Sequence, residues 1–244
     1  MSQAATKREL REQRRAERQA AEAAERARAA RTRRLWQLSG VVGLAAVVVA
    51  VVIAVSGSGA SAPPASPDLF RGIPERGGVL GKAGAPITVT EYLDLQCPIC
   101  AETSRTVIPT VVNDYVRSGK VKLQARTLHF IGSDSVRAAQ VAAAAAQQDK
   151  LWPFVEAFYA KQGAENSGYV TDAFLRDVAK TAGVDAGKAL EYADTAAAQK
   201  PLATANADAA ALKIDGTPTF TVQRGDGPVK VVSADQLTAE LAQR

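Results

Sequence analysis

Apolar and polar residues follow one another along this chain in distinct patterns. Residues 35–55 carry no charged side chain and consist mainly of Val, Ala, Leu and Ile. At about 1.5 Å per residue, a helix of this length spans about 31 Å, enough to cross the hydrocarbon core of a bilayer. Residues 87–95 are rich in β-branched side chains and alternate apolar with polar positions, which predicts a strand. Residues 101–117 have apolar side chains at helical spacing, which predicts a helix that ends at Gly119.

The second half of the chain has a helical pattern over a long stretch. Residues 134–212 are rich in Ala, with Thr171 and Asp185 placed to cap helix N-termini and Gly183 placed to end a helix. Three aromatic residues near the start of this stretch have helical spacing, which predicts that they pack in its core: Trp152, Phe154 and Phe158.

A short hairpin and a final helix are predicted at the C-terminal end. Residues 229–232 follow a Gly-rich turn and have the composition of a strand that pairs with residues 219–223. Ser233 and Gln236 then form a capping box, which predicts the start of a last helix.

The positive charge of the chain is confined to one end. The net charge is +5, but residues 1–34 alone hold 11 Lys or Arg against 5 Asp or Glu. The rest of the chain is near neutral, which argues against a nucleic-acid-binding surface, since such a surface needs basic residues spread over the folded domain. We interpret residues 1–34 as a basic cytosolic tail that orients the chain and is attracted to anionic lipid; a specific cytosolic partner is the alternative.

The apolar span is predicted to be an uncleaved membrane anchor. Arg residues precede residues 35–55 and a Ser/Gly run follows them, so the positive-inside rule places everything after the span outside the cytoplasm. A cleaved signal peptide is the alternative, because Ala60-Ser61-Ala62 offers a small-residue cleavage site. Residues 56–77 contain Gly, Ser, Ala and Pro, which predicts a flexible linker between the anchor and a domain at residues 78–244.

The two cysteines of the chain lie at the predicted strand-to-helix junction. Cys97 and Cys100 are separated by Pro98 and Ile99 and are followed directly by the predicted helix. Unpaired N–H groups and the helix dipole favour a thiolate at such a terminus, so we expect a lowered pKa for Cys97 and a redox role for the pair. A structural disulfide is an alternative, although so small a loop stabilises little. A zinc site is disfavoured because the chain has one histidine, His129, for which we expect a packing role.

A second short motif lies far along the chain. Thr217 and Pro218 occur within a β-prone run that starts at Ile214. A cis peptide bond at this proline would form a tight turn at the strand entry and expose the backbone of Thr217 for pairing with an extended peptide. An ordinary trans proline at a strand edge remains the alternative.

These features together resemble the DsbA-like branch of the thioredoxin superfamily. The resemblance rests on the strand carrying Glu91, the Cys97–Cys100 segment at a helix start and the later segment 216–220, and it covers about residues 78–244. It implies a thioredoxin-like α/β fold with a helical insertion at about residues 134–212. In this chain, one N-terminal transmembrane helix is expected to precede that fold.

The resemblance also implies roles for individual residues. Cys97 corresponds to the solvent-accessible attacking thiolate, and Cys100 to the buried thiol that resolves the mixed disulfide. Pro218 is expected to pack against the pair, and Thr217 is expected to contact the backbone of the substrate. No cofactor and no metal are implied.

Four further positions bear on the redox chemistry. Glu91 matches an acidic residue beneath the family's active site and is a candidate proton relay to Cys100, with an outward-facing strand charge as the alternative. Asp94 also fits the family pattern, but a solvated position at the strand end is expected. Pro98 and Ile99 form the dipeptide that tunes the reduction potential of the Cys97/Cys100 couple. DsbA has a histidine there that stabilises the thiolate, so the couple of this chain is expected to be less oxidising.

The resemblance implies an extracytoplasmic enzyme that exchanges disulfides with exported, cysteine-containing proteins. Oxidation of substrates is the preferred direction, and a reductase or isomerase of the same fold is the alternative. An oxidase needs a partner that removes its electrons, for which the family suggests a quinone-linked membrane protein of the DsbB or vitamin K epoxide reductase type. The contrasting hypothesis is an anchored chaperone or assembly module without enzymatic activity, in which the cysteines form a structural disulfide.

Overall fold

Within residues 69–243, which the computed structural model describes, six strands form one mixed sheet. The strands are β1 (Glu75–Arg76), β2 (Val79–Leu80), β3 (Ile87–Asp94), β4 (Val121–Leu128), β5 (Thr219–Arg224) and β6 (Lys230–Val232). Their order across the sheet is β1-β2-β4-β3-β5-β6, with β3 parallel to β4 and antiparallel to β5. The predicted strand at residues 87–95 is therefore a central strand, and the predicted C-terminal hairpin is β5 and β6.

Helices connect and cover the sheet. In chain order they are α1 (Pro98–Thr106), α2 (Ile108–Thr110), a π-helix (Val111–Val116), α3 (Ser133–Gln147), α4 (Leu151–Tyr159), α5 (Asp172–Thr181), α6 (Ala186–Ala193), α7 (Ala196–Ala211) and α8 (Ala234–Ala242). The run from α3 to α7 lies between β4 and β5 in the sequence. It is the predicted helical insertion, so the expected thioredoxin-like α/β fold with an insertion is confirmed.

The two faces of β3 pack against different parts of the molecule. Val89 and Leu93 belong to the main core together with the cysteine pair and most of the helices. Tyr92 packs on the opposite face, against residues of β4 and α7. Because side chains alternate along a strand, Glu91 shares the face of Val89 and Leu93, beneath the helix that carries the cysteines.

The predicted helix at residues 101–117 is not continuous. α1 ends at Thr106, and Pro109 lies in the three-residue α2 that follows. A proline has no N–H to donate to the preceding turn, and the chain continues as a π-helix up to Val116. Gly119 has a φ of 78° and ends the helical stretch as predicted.

The folded domain begins earlier than the predicted boundary at residue 78. Leu69 and Phe70 are buried, and the ring centroid of Phe70 lies 6.0 Å from that of Trp152. Residues 69–77, assigned to the linker from their Gly and Pro content, therefore pack on the domain. The rest of the linker, the tail at residues 1–34 and the anchor at residues 35–55 lie outside the described residues. Among residues 69–243, no helix has the length and apolar character needed to cross a membrane.

Several local predictions are confirmed in the helices. The Thr171 side chain accepts the N–H of Phe174, and that of Asp185 accepts two N–H groups at the start of α6. Gly183 follows α5 with a φ of 73°, and Ser233 begins α8 with the predicted capping box. The three aromatic residues predicted to pack in the core are fully buried: Trp152, Phe154 and Phe158.

Candidate active site

The cysteine pair lies where β3 turns into α1. The N–H of Cys97 donates to the carbonyl of Asp94 at 3.0 Å, which closes the turn at the end of the strand. Cys97 has extended backbone angles and caps α1, and its sulfur accepts the N–H of Cys100 at 3.3 Å. Both cysteines are free thiols in the structure.

The second sequence motif meets the first in space. The Thr217–Pro218 peptide bond is cis. The thiol of Cys97 donates to the carbonyl oxygen of Thr217 at 3.3 Å, although 120 positions separate the two residues in the sequence. The fold therefore brings together Cys97, Cys100, Thr217 and Pro218. These are the four positions to which the resemblance assigns disulfide exchange and substrate contact.

The two thiols differ sharply in acidity. The pKa of Cys97 is lowered to about 6. A hydrogen bond from the Cys100 thiol is the main cause, and bonds from the Thr217 side chain and from the N–H groups of Cys100 and Ile99 act in the same direction, while burial opposes them. Burial raises the pKa of Cys100, and the neighbouring Cys97 and Glu91 raise it further. Near neutral pH the pair therefore consists of a thiolate at Cys97 and a thiol at Cys100.

Accessibility also separates the two cysteines. Cys100 is completely buried, and Cys97 is 6 % exposed, less than the resemblance led us to expect for the attacking thiol. Ile99, between them, is 65 % exposed. An apolar, exposed side chain therefore lies two positions from Cys97 in the chain.

Glu91 lies on the core-facing side of β3. It is 1 % exposed, so the outward-facing alternative does not hold, and its Oε1 atom has no hydrogen-bond partner. Burial raises its pKa to about 8, with further contributions from the nearby Glu156 and Cys97. The uncharged carboxyl group can give a proton to a neighbouring thiolate, and its carboxylate form can take one from a thiol.

Asp94 corrects a prediction, because it is buried rather than solvated. It is fully inaccessible, and its carboxylate accepts the N–H groups of Gln96, Phe130 and Ile131 and the hydroxyl of Ser135. A carboxylate that receives this many hydrogen bonds holds together the segments that donate them. Asp94 thus ties the loop after β4 and the start of α3 to the turn that carries Cys97.

Two polar residues of the insertion support the same turn and have no distinctive sequence motif. Gln162 follows α4, and its Nε2 donates to the carbonyls of Leu95 at 2.8 Å and of Cys97 at 3.2 Å. The hydroxyl of Tyr159 donates to the carbonyl of Asp94 at 3.1 Å. Only the folded arrangement of α4 against the turn reveals them.

His129 lies at the end of β4, away from this chemistry. Its Nε2 is 3.4 Å from the side-chain nitrogen of Asn206 on α7, while its Nδ1 is buried without a partner. The predicted packing role agrees with this position between the sheet and α7.

Comparisons with known proteins agree with the fold and with the site. A sequence model described as thioredoxin matches residues 75–231. Disulfide bond formation protein D of Bacillus subtilis is 33% identical over 109 residues, which is 42% of this chain and 47% of that protein. The chain spans about half the length of the curated relatives of this name.

Solved structures extend the similarity over most of the described residues. The crystal structure of oxidised BdbD from Bacillus subtilis superposes with a TM-score of 0.60 at 27% identity, covering 67% of this chain and 90% of that one. The DsbA of Chlamydia trachomatis has a TM-score of 0.58 at 20% identity, covering 67% and 89% of the two chains, and supports the fold alone.

Proposed function

The chain belongs to the thioredoxin family and resembles its DsbA-like thiol-disulfide oxidoreductases, and from that premise we propose that it exchanges disulfides with proteins through Cys97 and Cys100. The observation that carries the proposal is the position of Cys97. Its sulfur caps α1, receives an N–H from within the helix and contacts the backbone beside the cis proline. The N–H group and the helix N-terminus favour the thiolate, which is both the attacking group and the leaving group in disulfide exchange.

We propose that the preferred direction is oxidation of the substrate. A substrate thiolate attacks the sulfur of Cys97 in the oxidised pair, the Cys97–Cys100 bond breaks, and Cys100 leaves as a thiolate that takes up a proton. The second thiolate of the substrate then attacks the substrate sulfur of the mixed disulfide and releases Cys97 as a stabilised thiolate. Two electrons pass to the pair; the two substrate thiols release two protons, and Cys100 takes up one.

Glu91 is the proposed source of the proton for Cys100. Its buried carboxyl has a pKa of about 8 and is neutral near pH 7, whereas the raised pKa of Cys100 makes its thiolate a strong base. Thr217 and Pro218 are proposed to hold the backbone of the substrate next to Cys97. Pro98 and Ile99 are proposed to tune the reduction potential of the Cys97/Cys100 couple. The side chain of Ile99 offers the thiolate no charge and no hydrogen-bond donor.

We propose that the enzyme works outside the cytoplasm, anchored by residues 35–55 with the basic tail inside. Exported proteins that contain cysteines are the proposed substrates. A quinone-linked membrane protein, of the DsbB or vitamin K epoxide reductase type, is proposed to reoxidise the pair. Alkaline phosphatase fused after residue 68 tests the orientation: activity in cells supports an exported domain, and an inactive fusion contradicts it.

The activity is tested with the full chain in detergent. The oxidised chain is mixed with a reduced, unfolded protein that has two cysteines, and thiols are counted by alkylation over time. We expect stoichiometric transfer of one disulfide in wild type and no transfer in Cys97→Ser. A wild-type chain that transfers nothing, or whose thiols cannot be alkylated when reduced, contradicts the proposal and supports the structural-disulfide alternative.

A further inference from the structure

A second carboxyl, partly buried, lies one helical turn from the redox pair. Glu156 is on α4, and its carboxylate accepts a hydrogen bond from the hydroxyl of Ser104 on α1. Ser104 is buried and follows Cys100 by four residues, so it lies on the same face of the helix, about 6 Å further along the axis. The proposed exchange mechanism has so far assigned nothing to this pair.

Glu156 also borders a cavity that Glu91 does not reach. The cavity has a volume of about 670 Å³, and its lining includes Glu156 but neither Glu91 nor the two cysteines. Glu91 is buried on the core face of β3, beneath α1. Glu156 therefore both lines the cavity and, through Ser104, contacts the helix that carries the cysteines.

Charged groups from several elements face Glu156. Arg105 of α1 favours its charged form, as does the bond from Ser104, but burial outweighs both and raises the pKa of Glu156 to about 7. On β3, Glu91 interacts with it repulsively when both are charged. The other charged residues of the cavity lining come from the segments before β2 and at the start of α4: Arg71, Glu75, Asp149 and Lys150.

We propose that Glu156 is a positioning residue of the redox centre, which acts through Glu91 and conducts protons between the cavity and that buried carboxyl. The inference rests on the proposed exchange function and extends it. When Cys100 leaves as a thiolate, Glu91 gives it a proton and becomes a carboxylate; Glu156 passes a proton to Glu91 and regains one from solvent in the cavity. Reoxidation of the pair reverses each transfer, so no group gains or loses a proton over a cycle.

The test compares pH profiles of single-turnover exchange. The oxidised full chain, in detergent, reacts with a reduced peptide that has two cysteines, and each variant rate is divided by the wild-type rate at the same pH. This ratio cancels the ionisation of the peptide thiols. The variants are Glu156→Gln, which keeps the acceptor for Ser104 but removes the charge, and Glu191→Gln, the matched control. Glu191 is an exposed carboxylate on α6, and it does not line the cavity.

Removal of the Glu156 charge is expected to lower the pKa of Glu91 and to interrupt its proton supply. The ratio for Glu156→Gln should dip by up to about tenfold near pH 7–8, where Glu91 is neutral in wild type, because one pKa unit is a tenfold change in protonated fraction. The ratio for Glu191→Gln should stay flat. A flat ratio for Glu156→Gln, matching that of the control, overturns the inference.

Glu156→Asp separates proton transfer from simple packing. The shorter side chain keeps a carboxyl but fits the Ser104 contact less well than Gln does. A proton-conducting role makes Glu156→Asp the milder change at pH 7–8, and a purely structural role makes it the more damaging one and overturns the inference. If wild type itself exchanges no disulfide with the peptide, the proposed function fails first, and this inference fails with it.

Discussion

Cys97 and Cys100 are three positions apart, yet the structure shifts their pKa values in opposite directions. Cys97 lies at the open end of α1, where donors converge on its sulfur, whereas Cys100 lies in the apolar core. The Cys100 thiol is the principal donor to the Cys97 thiolate. Each thiol therefore depends on the other, and the reduced pair holds one negative charge at a defined atom.

Removal of that donor is expected to raise the pKa of Cys97. In Cys100→Ala the pKa should move up from about 6, because the largest stabilising contact of the thiolate is lost. Cys100→Ser is the matched variant, since its hydroxyl still donates and should keep the pKa lower than in Cys100→Ala. The pH dependence of thiolate ultraviolet absorbance measures both. Equal pKa values in wild type and Cys100→Ala would show that the donor is not Cys100.

Glu91 is expected to make the folded protein less stable as the pH rises. Its pKa is raised from 4.5 to about 8, so the stability that its neutral form provides is fully present below about pH 4.5 and is lost as the pH rises through about 8. Glu91→Gln removes this dependence. The variant should gain about 3 kcal/mol over wild type between about pH 5 and pH 8.

Denaturant unfolding of the oxidised protein, at several pH values, measures this gain. The oxidised form is used so that no cysteine titrates. Glu191→Gln is the control, because Glu191 is exposed on α6 and its replacement should leave the pH dependence unchanged. A stability difference between Glu91→Gln and wild type that is the same at every pH would contradict a raised pKa of Glu91.

At the scale of elements, the segments around the site are held together by buried polar groups that sequence patterns do not reveal. Asp94 was expected to be solvated because it ends a strand, and the alternation of side chains gives no information on what folds over a strand end. The covering segments come from the loop after β4 and from α3, which are 36 to 41 residues away in the sequence. Contacts of this range depend on the tertiary fold.

Replacement of Asp94 by Ala is expected to destabilise the domain. The change leaves the buried N–H group of Gln96 and the partly buried N–H groups of Phe130 and Ile131 without their acceptor, for which we expect a loss of about 3 kcal/mol or more. Asp114→Ala, at an exposed position of the π-helix, should lose less than about 0.5 kcal/mol. Denaturant midpoints of both variants check the prediction, and a loss for Asp94→Ala as small as that for Asp114→Ala would contradict it.

The helix that follows the cysteines shows the other limit of sequence patterns. The apolar spacing of residues 101–117 predicted its buried face, and Ile108, Val111 and Val112 are indeed buried. The break arises because Pro109 removes one hydrogen bond, and the π-helix then restores the buried face over a different hydrogen-bond register. Periodicity records which side chains face the core but not the register of the backbone bonds.

At the scale of the whole molecule, the order of elements could be predicted because each has a local signal. The strand before the cysteines, the Ala-rich insertion with its caps, and the C-terminal hairpin and helix all lie where the sequence placed them. The meeting of Cys97 with Thr217, by contrast, was expected only from a family resemblance, because no local pattern relates residues 120 positions apart. Gln162 and Glu156 carry no signal at either level.

The start of the domain illustrates why boundaries are harder to predict than elements. Residues 69–77 have the Gly and Pro content of a linker, yet Leu69 and Phe70 are buried and Glu75 accepts the N–H groups of Leu151 and Trp152. A few buried side chains suffice to hold a segment whose average composition is that of a tether.

The reduction potential of the Cys97/Cys100 couple tests the central claim most directly. The full chain in detergent is equilibrated with glutathione buffers, and the reduced fraction is read by alkylation. A stabilised Cys97 thiolate favours the reduced form, so we predict a potential of about −120 to −180 mV, that of a disulfide donor. A potential near −270 mV, typical of a reductase such as thioredoxin, or a pair that never equilibrates with glutathione, would contradict the account.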